Sequence, residues 1–230
     1  MEKPYQQVPI LECHEPLVLI PLDKFAVVSP HPYQQLGAIY GDRSPYYLRQ
    51  SVVSALLVAQ TQLQKQYPAW QILIFDAYRP VAVQQFMVDY TFEQVVQAAG
   101  LSIDSLSETQ RQQVWEQVYQ LWAVPSLDKR YPPPHSTGAA VDATLVNVDM
   151  GSAIDELSER SHPDYYANST CTEAQQYHRH RQILFEAMHF AGFQRHPSEW
   201  WHFSLGDQMW AYLTQANFKD PVVARYGRVE

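Results

Sequence analysis

The sequence predicts an α+β fold in which helices pack around a small antiparallel sheet. Two observations carry this reading. Segments with helical periodicity outnumber extended ones, and the extended runs come singly, separated by long stretches of chain. The 230 residues, 46% of them apolar, are ample for a buried core. No internal repeat, low-complexity tract or Gly/Ser linker divides them, so residues 1–230 read as a single domain. Pro4, Pro9, Pro16, Pro21, Pro30 and Pro32 forbid long helices early in the chain, and residues 1–30 read as an irregular or short-stranded segment without a role. Ser44 as cap and Pro45 in the first turn open a helix in which Leu48, Val52, Ala55, Leu56, Ala59 and Leu63 recur at three and four. It ends near Tyr67 and Pro68. Residues 71–75 form a buried strand that delivers Asp76-Ala77-Tyr78-Arg79-Pro80 at its exit. Helical patterns follow over residues 81–90, 91–99 and 108–122, the last opened by a Ser107/Gln110 capping box. Residues 139–147 alternate as a strand with Asp142 and Thr144 on one face and Val141, Ala143 and Leu145 on the other. A long helix, boxed by Thr170 and Glu173, runs to a stop at Gly192, and residues 200–204 form the last strand.

Composition narrows the function. Sixteen Lys plus Arg against 24 Asp plus Glu give a net charge of −8, and charged residues make up only 17%. A broad nucleic-acid surface is not expected. No window has the roughly 18 uninterrupted apolar residues of a membrane span, and residues 1–10 lack the layout of a secretory signal. The chain is therefore expected to be soluble, with export unsupported and without membrane or nucleic-acid partners; a homo-oligomer stays open. Cys13 and Cys171 are too few for a disulfide framework and read as reduced thiols. Nine His, six Trp and fifteen Tyr point instead to an aromatic cleft with imidazole ligands.

The segment from His135 to Asp142 puts an imidazole before a glycine turn at Gly138 and a carboxylate on the strand beyond it. Glu199-Trp200-Trp201-His202 offers a second imidazole and a spare carboxylate between large rings. Two His and one Asp make the three-ligand set of catalytic zinc, whose fourth position holds water with a pKa drawn down toward about 7. Glu199 would take that water's proton and pass it to a leaving amine, while Arg79 would stabilise the oxyanion, a donor worth about 3 kcal/mol or more. Residues three apart on a regular strand face opposite sides, so Glu199 must lie in the turn after Pro197 and Ser198. By spacing alone plainer roles stay open: a local hydrogen bond for Asp142, a core position for His202, packing for the Trp pair, an ion pair for Arg79. His14, His31 and His196 show no convergent partner, His162 is expected to order the loop after Asp155, and His178 and His180 point apart on their helix.

Asp76–Pro80, His135–Asp142 and Glu199–His202, in this order, resemble the zinc D-alanyl-D-alanine dipeptidases of the VanX type. The resemblance extends over residues 30–205. It implies one Zn²⁺ per chain held by His135, Asp142 and His202, with Glu199 as catalytic base and acid and Arg79 stabilising the transition state. It further implies that Asp155 and Tyr33 hold the substrate ammonium, so that free dipeptides are selected. The implied reaction is hydrolysis of D-alanyl-D-alanine or a related D-containing dipeptide by attack of metal-bound water, with a role in turnover of cell-wall peptidoglycan precursors in a bacterial cytoplasm. Pro133 departs from the pattern, where serine is usual, and removes one polar contact on the substrate side. Two rival readings remain. One is a D,D-carboxypeptidase or broader peptidoglycan peptidase on the same zinc site; the other is a non-catalytic, zinc-stabilised binding module, which would need neither Glu199 nor Arg79.

Overall fold

The computed structural model describes residues 3–216 and 221–229. As its prolines require, the described part of the N-terminal segment forms no long helix and holds a 3-10 turn, Pro4–Gln7, and two short strands, β1 (Leu17–Leu19) and β2 (Ala26–Val27). A one-turn helix, α1 (Pro32–Gln35), leads to β3 (Tyr47–Arg49), which pairs antiparallel with β1. The helix expected from Ser44 and Pro45 begins later, as α2 (Gln50–Gln66). Leu48, counted into its stripe, instead pairs with Val18 and is fully buried. Strand pairing outweighs helical spacing there.

The larger sheet has five strands in the order β2-β4-β5-β7-β6, with β4 at Ile72–Asp76, β5 at Ala140–Leu145, β6 at Gln194–Arg195 and β7 at His202–Ser204. It is antiparallel except at one edge, where β2 and β4 run parallel. The wholly antiparallel expectation fails at this pair because the chain between them crosses over through α2 instead of turning back in a hairpin. The last strand is also shorter than expected, since Trp200 and Trp201 precede it as fully buried residues of the incoming loop.

Helix α3 (Val81–Ala98) is continuous where two patterns were expected. Thr91 at the anticipated junction lies within it, and its hydroxyl accepts the Trp122 indole N–H at 2.9 Å. Helix α4 (Glu108–Leu121) opens with the expected box, Ser107 Oγ accepting from the Gln110 amide and Gln110 Oε1 from the Ser107 amide. The two helices share a core of Val88, Phe92 and Val96 against Val114, Val118 and Trp122. Helix α5 (Thr172–Phe190) stops before Gly192 as expected, but its cap is Cys171 without a side-chain bond, so the Thr170/Glu173 box is not made. Helix α6 (Gln208–Gln215) completes the fold. Both cysteines are free and exposed.

Alternation along β5 sorts its residues. Val141, Ala143 and Leu145 join Ile72 and Ile74 of β4, Leu56 and Leu63 of α2, and Leu184 and Met188 of α5 in one apolar core. Burying each large side chain stabilises by roughly 1.5–3 kcal/mol. Against that stands the several kcal/mol per ion that it costs to bury charges on the sheet's opposite face, where Asp142 lies.

Gly138 makes the turn between His135 and that strand. Its φ of +71° is left-handed, and a Cβ there would collide with Leu17 Cδ2. Gly138→Ala is expected to cost roughly 1–3 kcal/mol, from left-handed strain plus displacement of Leu17. Urea unfolding measures this, and an unchanged midpoint would show that the turn tolerates a side chain.

Candidate active site

His135 stands in a 3-10 turn, Pro134–Thr137, while Asp142 and His202 lie directly opposite each other on β5 and β7. On the other side of Asp142 is Asp76 of β4. In a regular strand Asp76 would share the core face of Ile72 and Ile74. A bulge between Ile74 and Asp76 shifts the register, so that its carboxylate turns toward Asp142 and the site. Three adjacent strands thus present Asp76, Asp142 and His202 in a row.

One ligand atom from each of His135, Asp142 and His202 lies within 4.8 Å of the other two, and all three residues are buried. His135 Nε2 is 3.1 Å from His202 Nδ1 and 3.2 Å from Asp142 Oδ2, and His202 Nδ1 is 3.0 Å from Asp142 Oδ1. The outer nitrogens fix the tautomers. His135 Nδ1 donates to the Ala77 carbonyl at 2.7 Å. His202 Nε2 faces Ser204 Oγ at 3.4 Å, and that hydroxyl itself donates to Asp207 Oδ2 at 2.8 Å. Two imidazole lone pairs and a carboxylate therefore face one another, an arrangement that repels itself unless a cation lies between them. Two nitrogens and one oxygen, each imidazole steadied through its outer N–H, suit zinc.

Arg79, three residues past the end of β4, reaches into this cluster. Its Nε donates to Asp76 Oδ2 at 2.9 Å, Nη1 to Gln84 Oε1 at 2.9 Å, and Nη2 to the Tyr33 hydroxyl at 3.1 Å and Asp142 Oδ2 at 3.2 Å. The guanidinium stacks 4.9 Å from the rings of Tyr33 and Trp122. Burial would lower its pKa, yet Tyr33 and the two carboxylates keep it firmly charged.

Glu199 lies outside β7, in the turn that Pro197 and Ser198 lead into, as required for it to approach His202. Its Oε2 is 3.9 Å from His202 Nδ1 and its Oε1 3.5 Å from His196 Nδ1. Burial pushes its carboxyl up to about 7. The Tyr33 hydroxyl, from α1, donates to Asp155 Oδ2 at 2.7 Å. Asp155 adopts a left-handed φ of 63°, which turns its carboxyl inward, where desolvation and then the Asp142 charge push it up to about 7. All seven residues singled out in the sequence therefore meet around one cleft, six of them lining it directly and Tyr33 reaching it through Arg79 and Asp155.

Two expectations need correction. His31 is buried with its Nε2 3.0 Å from Asp76 Oδ1, beside the Tyr40 hydroxyl at 3.1 Å, and so steadies the carboxylate that steadies Arg79. His196 lines the cleft, its ring 5.7 Å from that of His202. Sequence reasoning found neither, because each contact depends on a bulge or a turn. The loop carrying Asp155 is ordered chiefly by Arg181 of α5, fully buried, whose guanidinium donates to the carbonyls of Met150 and His162 and to Ser152 Oγ at 2.7–3.0 Å. His162 thus contributes through its backbone oxygen.

The chain matches the M15 peptidase family described as D-ala-D-ala dipeptidase over residues 27–222. A D-alanyl-D-alanine dipeptidase of Synechocystis is 50% identical over 242 aligned positions, covering 99% of this chain and 97% of the relative. One from Enterococcus faecium is 33% identical, covering 71% of this chain and 73% of its own. Among solved structures, the D,D-pentapeptidase VanY in complex with Zn(II) is 16% identical with a TM-score of 0.44, covering 87% of this chain and 93% of that one. The chain belongs to the D-alanyl-D-alanine dipeptidase family of the M15 peptidases and is an enzyme of that kind.

Proposed function

We propose that the chain is a zinc dipeptidase that hydrolyses D-alanyl-D-alanine, or a closely related D-containing dipeptide, to free amino acids. The convergence of His135 Nε2, His202 Nδ1 and the Asp142 carboxylate beside Glu199 carries this reading. Zinc, held by those three residues, would supply Lewis acidity toward water and the scissile carbonyl. Glu199 takes the proton of the attacking water and returns it to the departing amine, from a buried position that keeps bulk solvent away. Arg79 donates to the carbonyl oxygen as negative charge gathers there, already oriented by Asp76 and Gln84. Asp155, backed by the Tyr33 hydroxyl, receives the substrate ammonium and sets the distance from the amino terminus to the broken bond. Turnover of cell-wall precursor dipeptide in the cytoplasm would be its use; among the described residues no helix is long and apolar enough to cross a membrane.

The test is incubation of zinc-loaded protein with D,D, L,D and L,L dipeptides, free and amino-blocked, scoring released amino acids. Free D,D dipeptides are expected to be cleaved and blocked ones spared. Equal cleavage of blocked peptides would favour the carboxypeptidase reading, and no cleavage at all the binding-module reading.

A further inference from the structure

A free dipeptide carries a charge at each end, and the residues above account for only one. Asp155 and Tyr33 meet the ammonium. Arg79 is assigned to the scissile carbonyl oxygen and holds Asp76, Gln84, Tyr33 and Asp142 besides. Among the described residues, the other Lys or Arg lining the cleft is Lys3. It comes from the segment ahead of residue 27, where the family match begins. Lys3 lines this cleft together with Glu199, His196 and Asp155.

The segment is tied down. Gln208 Nε2 on α6 donates to the carbonyls of Gln6 and Val8 at 3.1 and 2.7 Å, Gln6 Oε1 accepts the Lys3 amide N–H at 2.7 Å, and Tyr5 is buried in the cleft wall. Lys3 has no ion-pair partner among the described residues within the usual contact distance, and Glu199 spends its close contacts on His196 and His202. A half-buried amine without a counter-ion is unfavourable, and an incoming anion relieves it. Its placement is consistent with that cost, since burial pulls the Lys3 amine below the ordinary lysine range.

We propose that Lys3 binds the C-terminal carboxylate of the substrate, making the N-terminal strap a specificity element that grips the end of the dipeptide opposite Asp155. The inference rests on the peptidase reading of the site. It also requires the strap to stay in place when substrate enters, which the Gln208 bonds provide.

The experiment compares D-alanyl-D-alanine with its C-terminal amide. Binding of each is measured by calorimetry on zinc-loaded chains carrying Glu199→Ala, with and without Lys3→Gln, so that the readout does not depend on turnover. Hydrolysis by the parent chain is measured separately and tests the proposed function alone. Loss of a charge-assisted contact predicts roughly tenfold or greater weakening for the acid and less than about twofold for the amide. Lys3→Arg is expected to restore most of the preference. Equal weakening of acid and amide would make Lys3 a merely structural part of the strap. Unchanged acid binding, or no binding of either form by the parent pair, would likewise overturn the assignment.

Discussion

Glu199→Ala is expected to lower kcat by about a thousandfold or more while the protein still takes up one equivalent of zinc. General acid and base work of this kind contributes on the order of 10²–10⁴ in rate, and Glu199 would perform both halves of the proton transfer. It is not among the three clustered ligands, and its Oε2 stands 3.9 Å from His202 Nδ1. Its removal therefore leaves the metal cradle standing. His135→Ala supplies the contrast, since it deletes a ligand and with it both uptake and turnover. Equilibrium dialysis with zinc alongside steady-state kinetics separates the two variants. Substantial activity in Glu199→Ala would remove Glu199 from the chemistry, and loss of zinc in the same variant would make it a ligand.

Arg79→Ala is expected to lower kcat by roughly 10²–10³-fold, with a much smaller rise in KM, because its contact strengthens as the carbonyl oxygen gains charge. The alanine variant also strands Asp76 and Asp142, two buried carboxylates that now share this guanidinium. Breaking such a group typically costs about 3–5 kcal/mol of stability, so the folded fraction must be measured with the kinetics. Arg79→Lys keeps the charge but cannot reach Asp76, Gln84, Tyr33 and Asp142 together. A folded lysine variant with a kcat defect supports the transition-state role. A defect confined to KM would instead make Arg79 a ground-state binder.

How far the site is legible in the sequence depends on how each residue is placed. His135, Gly138 and Asp142 lie on one short turn and strand, and Glu199 and His202 on another, so local spacing brings them within reach of recognition. Asp76 stands in a recognised motif, but its inward turn follows from a bulge visible only once β4 is paired with β5. His31 has no local signal at all, because its partner is 45 residues away. The same distinction holds for the fold. The α4 box is a four-residue event and is read correctly, whereas the start of α2 is decided by pairing between β1 and β3 and is not. Lys3 is the extreme case, brought to the cleft by hydrogen bonds from Gln208, about two hundred residues further along the chain.

Arg181 gathers both ends of the loop around Asp155, bonding the Met150 and Ser152 side on one hand and His162 on the other. That buried fork separates the tip of the loop from its anchorage. Within the loop, Ser161 is the point that stays fixed to the site, its carbonyl accepting the Trp200 amide N–H at 3.0 Å, so the exposed residues 157–160 are where exchange is expected to be tolerated. Part of the diet of such an enzyme would then be written in a short stretch of surface chain, with Tyr33 and the strap that carries Lys3 writing the rest.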